Sequence, residues 1–76
     1  MNKMNFKITY NVKELRTEKG ITLKELSRRS GVSTTHINDI ENQKNHPTIY
    51  TMYLLSAALE VYFMDLFTIS DISDNK

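Results

Sequence analysis

The stretch T22-L-K-E-L-S-R-R-S-G-V-S-T-T-H-I-N-D-I-E-N42 decides the fold. Thr22-Leu23-Lys24-Glu25 has the form of a capping box, in which Thr22 and Glu25 satisfy each other's orphan amides. It predicts a helix over Leu23–Ser30 with Leu23, Leu26, Ser27 and Ser30 on its inner face; the small Ser27 permits another helix to approach closely. Gly31 stands just past the end, where a left-handed residue is needed, and Val32 is an apolar plug. Ser33 is a good N-cap for a second helix, about Thr34 to Asn42. Ile37, Ile40 and Glu41 face inward on it. Thr34, Thr35, Asn38, Asp39 and Asn42 face outward, all polar and mostly short.

Two helices joined by the turn Gly31-Val32-Ser33 make a helix-turn-helix unit. The steep crossing needs glycine in the turn and a small residue at the contact. The second helix then protrudes and can enter a DNA major groove about 12 Å wide.

Outward from this unit, Ile8, Val12 and Leu15 recur at i, i+4 and i+7, which predicts a first helix from Ile8, ended by Gly20 with Lys19 near its negative pole. Asn42 to Pro47 (NQKNHP) reads as a polar loop, and Thr48 caps a fourth helix with Ile49, Met52, Tyr53, Ser56 and Leu59 on its buried face. A short fifth helix is predicted around Phe63 to Phe67. No strand pattern competes, so the expected fold is all-α with five helices. The organisation expected is a flexible N-terminal arm over residues 1–7, a domain over 8–68 and a flexible acidic tail over 69–76.

The chain has 76 residues, room for one modest core, and a domain so short gains from a partner subunit. With no cysteine, disulfides, thiolate metal sites and a cysteine nucleophile are excluded. The apolar-rich run Met52 to Phe67 is broken by Ser56, Glu60 and Asp65, so no membrane span or signal peptide is read and a cytoplasmic location is expected. Net charge is +1, but residues 1–56 hold nine Lys/Arg against five acids, and residues 57–76 hold one lysine against four acids. That asymmetry suits a basic binding face and a non-binding end. His36 and His46 lack a third ligand at sensible spacing, so no metal is expected. Asp39 and Glu41 face different ways, no nucleophile–base pair or Gly-rich phosphate loop occurs, and neither catalysis nor a cofactor is expected.

The pieces V12-K-E-L-R16, G20-I-T-L-K-E-L-S27, G31-V-S-T-T-H-I-N-D-I-E41 and P47-T-I-Y-T-M…L59-E-V…D65-L-F67 together resemble the Cro/repressor-type, or xenobiotic-response-element-like, helix-turn-helix family, over about 60 residues. The resemblance implies a five-helix bundle that binds double-stranded DNA, usually as a dimer, as a transcription regulator and more often a repressor. It implies an ion pair between Arg16 and Glu41, supplying a partner for the carboxylate that periodicity turns inward. It implies base-edge contacts at Thr34, Thr35 and Asn38 or Asp39, with His36 at the margin. Threonine can pack on a thymine methyl, Asn38 can address adenine, and Asp39 can accept from the cytosine amino group. Candidate phosphate contacts are Thr22, Lys24, Ser33, Asn42, Lys44 and Asn45. Two departures stand out: Leu23 replaces a common phosphate-binding glutamine, and Gln43 stands where glycine is common.

The C-terminal half departs further. Tyr50, Leu54, Tyr62 and Met64 occupy positions usually polar, Glu60 replaces the glycine after helix 4, and Tyr62 replaces the cap of helix 5. Tyr50 and Leu54 are expected to form one exposed strip. With Phe63, Leu66 and Phe67 they make a candidate two-fold dimer interface, which would set two reading helices about one DNA turn apart over a palindromic operator. The competing reading is a protein-interaction module, an antitoxin or adaptor that holds a partner protein.

Overall fold

In the computed structural model, residues 5–72 are described. Four helices follow in order: α1 (Val12–Glu18), α2 (Leu23–Ser30), α3 (Thr34–Glu41) and α4 (Ile49–Leu59). A single 3₁₀ turn occupies Phe63–Leu66, and two strands, β1 (Phe6–Tyr10) and β2 (Phe67–Asp71), bracket the helices. The fold is therefore a mostly helical helix-turn-helix with a small sheet. It is neither purely all-α nor a five-helix bundle.

Three expectations are corrected together. Ile8 lies in a strand, so the first helix begins at Val12. The fifth helix is a four-residue 3₁₀ turn. Residues 6–7 and 69–71 are not loose arm and tail but the outer parts of an antiparallel ribbon, with Phe6 opposite Asp71, Ile8 opposite Ile69 and Tyr10 opposite Phe67. Residues 1–4 and 73–76 lie outside the described residues.

The strands form because F-K-I-T-Y and F-T-I-S alternate apolar and polar residues, the pattern of a ribbon with one greasy face, and only Asp71 at the end of β2 breaks it. Directly opposed residues share a face. Phe6, Ile8, Tyr10, Phe67 and Ile69 therefore line one side, with Asp71 at its tip, and Lys7, Thr9, Thr68 and Ser70 the other. Burial fades along the ribbon from Tyr10 at its base to Phe6 at its tip. The molecule is correspondingly long, 45 × 20 × 18 Å.

The core is formed by Tyr10, Val12, Ile21, Leu26, Val32, Ile37, Ile40, Met52, Leu55, Leu59 and Leu66. α2 packs against both α3 and α4. Ile37 and Ile40 are fully buried, and Glu41 joins them on the inner face of α3. On α4 the face differs from that expected: Met52, Leu55, Ser56 and Leu59 point in, whereas Ile49 and Tyr53 are exposed. Leu54 packs against the core, so the exposed strip is Ile49, Tyr50 and Tyr53 rather than Tyr50 and Leu54. Leu66 is fully buried in its own chain and cannot be an interface residue. Phe63 and Phe67 pack edge to face, centroids 5.7 Å apart, and are half-buried. Tyr62 and Met64 are exposed.

Candidate nucleic-acid interface

α3 is aimed by contacts at both of its ends. At the start, Ser33 is extended and its Oγ accepts the His36 amide at 3.1 Å. Before it, Gly31 takes φ 79°, closing α2 with its N–H on the Ser27 carbonyl. Ser30 Oγ accepts the Val32 amide, which fixes the apolar plug. The turn is thus held by backbone geometry and two serine hydroxyls.

At the far end Arg16 on α1 grips Glu41 with a two-pronged fork: Nε donates to Oε2 at 2.7 Å and Nη2 to Oε1 at 3.0 Å. Nη1 donates to the Ile21 carbonyl at 3.1 Å. The Glu41 side chain is 4% exposed and that of Arg16 15%, so this pair sits at the edge of the core. Its hydrogen bond to Glu41 holds the Arg16 guanidinium above its ordinary value, against the opposing effect of burial.

A second clasp lies one residue beyond the α3 cap, at the residue that stands where glycine is common. Gln43 adopts φ 60°, the left-handed conformation that explains why glycine is common there. Its side-chain amide lies along the edge of β1, with Oε1 accepting the Tyr10 amide at 2.8 Å and Nε2 donating to the Tyr10 carbonyl at 3.1 Å. Nε2 also donates to the Glu41 carbonyl at 3.1 Å. Gln43 thus behaves as a one-residue strand joining the ribbon to the end of α3. The Tyr10 hydroxyl lies 2.8 Å from His46 Nδ1, adding a contact from the next loop; burial pushes the Tyr10 phenol up.

Between these clasps the outer face of α3 is open. Thr34, Thr35 and Asn38 are exposed, while His36 and Asp39 are half-buried. The helix spans about 12 Å at 1.5 Å per residue. Of the phosphate candidates, Thr22, Lys24, Ser33, Asn42 and Lys44 are exposed. Thr22 and Ser33 use their oxygens as acceptors within the caps, which leaves each hydroxyl proton available to a phosphate. Asn45 is half-buried with Oδ1 turned inward.

Glu25 does not complete the expected capping box. Its carboxylate turns along α2 to Arg28 and Arg29, and it leaves the cap to Thr22 alone. Hydrogen bonds from Arg28 first and Arg29 second lower Glu25 to about 2 from an ordinary 4.5. A depressed carboxylate contributes stability above its unfolded value and loses it as pH falls through the folded one. The α2 contribution should therefore fade between about pH 4.5 and 2. An NMR titration of the Glu25 carboxyl checks this. Molar salt should move its midpoint back toward the ordinary value, because the group is exposed.

No helix among the described residues is long and apolar enough to cross a membrane. Nor do the described residues bring three potential metal ligands together.

The sequence pattern of the helix-turn-helix family HTH_3 matches residues 12–66, α1 through the 3₁₀ turn. The chain belongs to this Cro/repressor-type helix-turn-helix family. It is 39% identical over 61 residues to the uncharacterized HTH-type transcriptional regulator y4dJ of Sinorhizobium fredii, spanning 80% of this chain and 79% of that protein. It is 36% identical over 55 residues to the HTH-type transcriptional regulator SinR of Bacillus subtilis, covering 71% of this chain but half of SinR. Among solved structures, the SinR protein/SinI protein complex superposes with a TM-score of 0.69 at 32% identity, covering 72% of this chain and 54% of that one. HTH_3 proteins are DNA-binding transcription regulators rather than enzymes. The matched residues leave out both strands of the ribbon, β1 and β2.

Proposed function

We propose that this helix-turn-helix protein is a dimeric repressor that reads a palindromic operator with the outer face of α3. The observation that carries the reading is an open polar face, Thr34, Thr35 and Asn38, on a helix held at its start by the Ser33 cap and at its end by the Arg16–Glu41 pair. A rigid platform bearing short polar groups suits base-edge readout. No arginine lies on this face, so a strong guanine contact is not expected from α3. Affinity then leans on phosphates, reached by Thr22, Lys24, Ser33, Asn42 and Lys44, and on DNA shape. His36 and Asp39 stand at the margin of the reading face, and Asn45 at the margin of the phosphate set. Homodimerisation would double these contacts and set the spacing of half-sites.

The experiment is a selection of bound sequences from random duplex DNA, followed by titration at several salt concentrations. A palindromic consensus and a steep salt dependence are expected. Lys44→Glu should weaken binding to every sequence and make the log–log salt slope shallower by about one. Thr35→Ala should chiefly relax preference at one position of each half-site. A flat salt response, or no duplex binding at low salt, would overturn the reading. The second reading, a module that holds a partner protein, is favoured by the uncovered Ile49, Tyr50 and Tyr53 on α4.

A further inference from the structure

The apolar face of the ribbon does not end at the ribbon. Ile8, Tyr10 and Phe67 share the walls of a groove of about 240 Å³ with Ile49, Met52 and Phe63. Beyond it on one side the strand tips carry Phe6 and Ile69, 50% and 56% exposed, and on the other α4 carries Ile49 and Tyr53, 77% and 59% exposed. One face of the chain therefore holds both a projecting apolar ridge and an apolar hollow. Side chains of this size half exposed leave roughly 100 Å² each. With the partly open groove walls, the face presents on the order of 600 Å². That is the upper end of what a monomer leaves uncovered, and close to the roughly 800 Å² per partner of a stable interface.

We infer that the ribbon is the arm by which two copies of this chain hold each other, the tip of each apolar face lying over the groove and α4 strip of its partner. The inference rests on the two-fold pairing proposed above and says which surface makes it. Ridge and hollow on one face of one chain are self-complementary, the property a two-fold interface requires. Phe6, Ile8, Ile49, Tyr53, Phe63 and Ile69 carry no charge, and the acid in register with them, Asp71 opposite Phe6, stands at the ribbon's tip. A net charge of +1 gives two copies little to repel. A two-stranded ribbon alone is marginal in water; a partner covering its greasy side supplies the burial it lacks. The open side of α3 uses none of these residues, so pairing leaves Thr34, Thr35 and Asn38 available.

The test is sedimentation equilibrium of the full chain and of Phe6→Ser and Ile69→Asp, with circular dichroism to confirm that the variants fold. Both side chains are half exposed in the single chain, so folding should be kept while the dimer dissociation constant rises tenfold or more. The chain lacks cysteine, which permits a second measurement. Phe6→Cys chains mixed with Tyr53→Cys chains should form a 6–53 disulfide between subunits on mild oxidation, identified by mass spectrometry. A wild-type dimer whose affinity neither substitution changes, with no 6–53 link, would overturn the ribbon assignment and leave the dimer reading standing. A wild-type chain monomeric at concentrations that saturate DNA would overturn both.

Discussion

Arg16→Ala should be the most damaging single substitution outside the hydrophobic core, lowering stability by about 3 kcal/mol. The substitution leaves the Glu41 carboxylate, 4% exposed, without its two charge-assisted hydrogen bonds. Breaking a buried pair from one side leaves an uncompensated charge in a poorly polarisable setting, which is far worse than losing the pair's net attraction. The lower end of the range applies because Arg16 keeps some contact with solvent. A domain of this size has about 4–11 kcal/mol in all, so the melting temperature should drop by more than about 10 °C. The double variant Arg16→Met/Glu41→Leu should return to within about 1 kcal/mol of wild type, since it removes both charges together. What stays unrecovered is the hydrogen bond from Arg16 to the Ile21 carbonyl. DNA affinity of the double variant is expected to remain reduced, because a Met–Leu contact fixes no angle for α3. Chemical denaturation and a DNA titration of the three variants decide the matter. A single variant within 1 kcal/mol of wild type would refute the role given to the pair.

The helix-turn-helix unit was legible because its signals are local. Thr22 and Ser33 as caps, Gly31 as the left-handed stop, and Ile37 and Ile40 at helical spacing each act within one turn of chain. Glu41 was legible too, though its partner on α1 needed the family pattern. The ribbon was not, since Ile8, Val12 and Leu15 fit a helical stripe as well as Phe6, Ile8 and Tyr10 fit a strand. What tips the balance is a partner strand beginning 57 residues after Tyr10, at Phe67, and a non-local pairing leaves no mark near Ile8 itself. The buried side of α4 failed for another reason. In I-Y-T-M-Y-L-L-S-A-A-L apolar residues fall on every side, so spacing cannot choose between the Met52–Leu55–Leu59 face and the Ile49–Tyr53 one. The shortened final helix is consistent with its sequence: the Tyr62 amide is capped by Asp65 at 3.1 Å, and Phe67 then leaves in an extended conformation.

Gln43 and Glu60 give the second large prediction, because they share a conformation and should respond to glycine with opposite signs. Both are left-handed, at φ 60° and 58°, where a side chain is strained by about 1–2 kcal/mol relative to glycine. The Glu60 carboxylate takes no partner among the described residues, and only its backbone closes α4, on the Ala57 and Ser56 carbonyls. Glu60→Gly should therefore stabilise the chain by about 1 kcal/mol. Gln43→Gly gains the same relief but releases the Tyr10 amide and carbonyl, both on a residue 6% exposed. Unsatisfied buried backbone groups cost about 1–3 kcal/mol each, so the loss outweighs the gain and the variant should be destabilised by about 2 kcal/mol. Gln43→Ala keeps the strain as well and should be worse than Gln43→Gly by about the left-handed penalty. Urea denaturation of the three variants gives the ranking, and hydrogen exchange locates the damage: the Tyr10 amide should lose its protection in both Gln43 variants and keep it in Glu60→Gly. Stabilisation by Gln43→Gly equal to that by Glu60→Gly would mean the glutamine is merely a tolerated glycine replacement. The predicted order makes it the strut that ties the ribbon to the end of α3, so that whatever covers the ribbon also braces the reading helix.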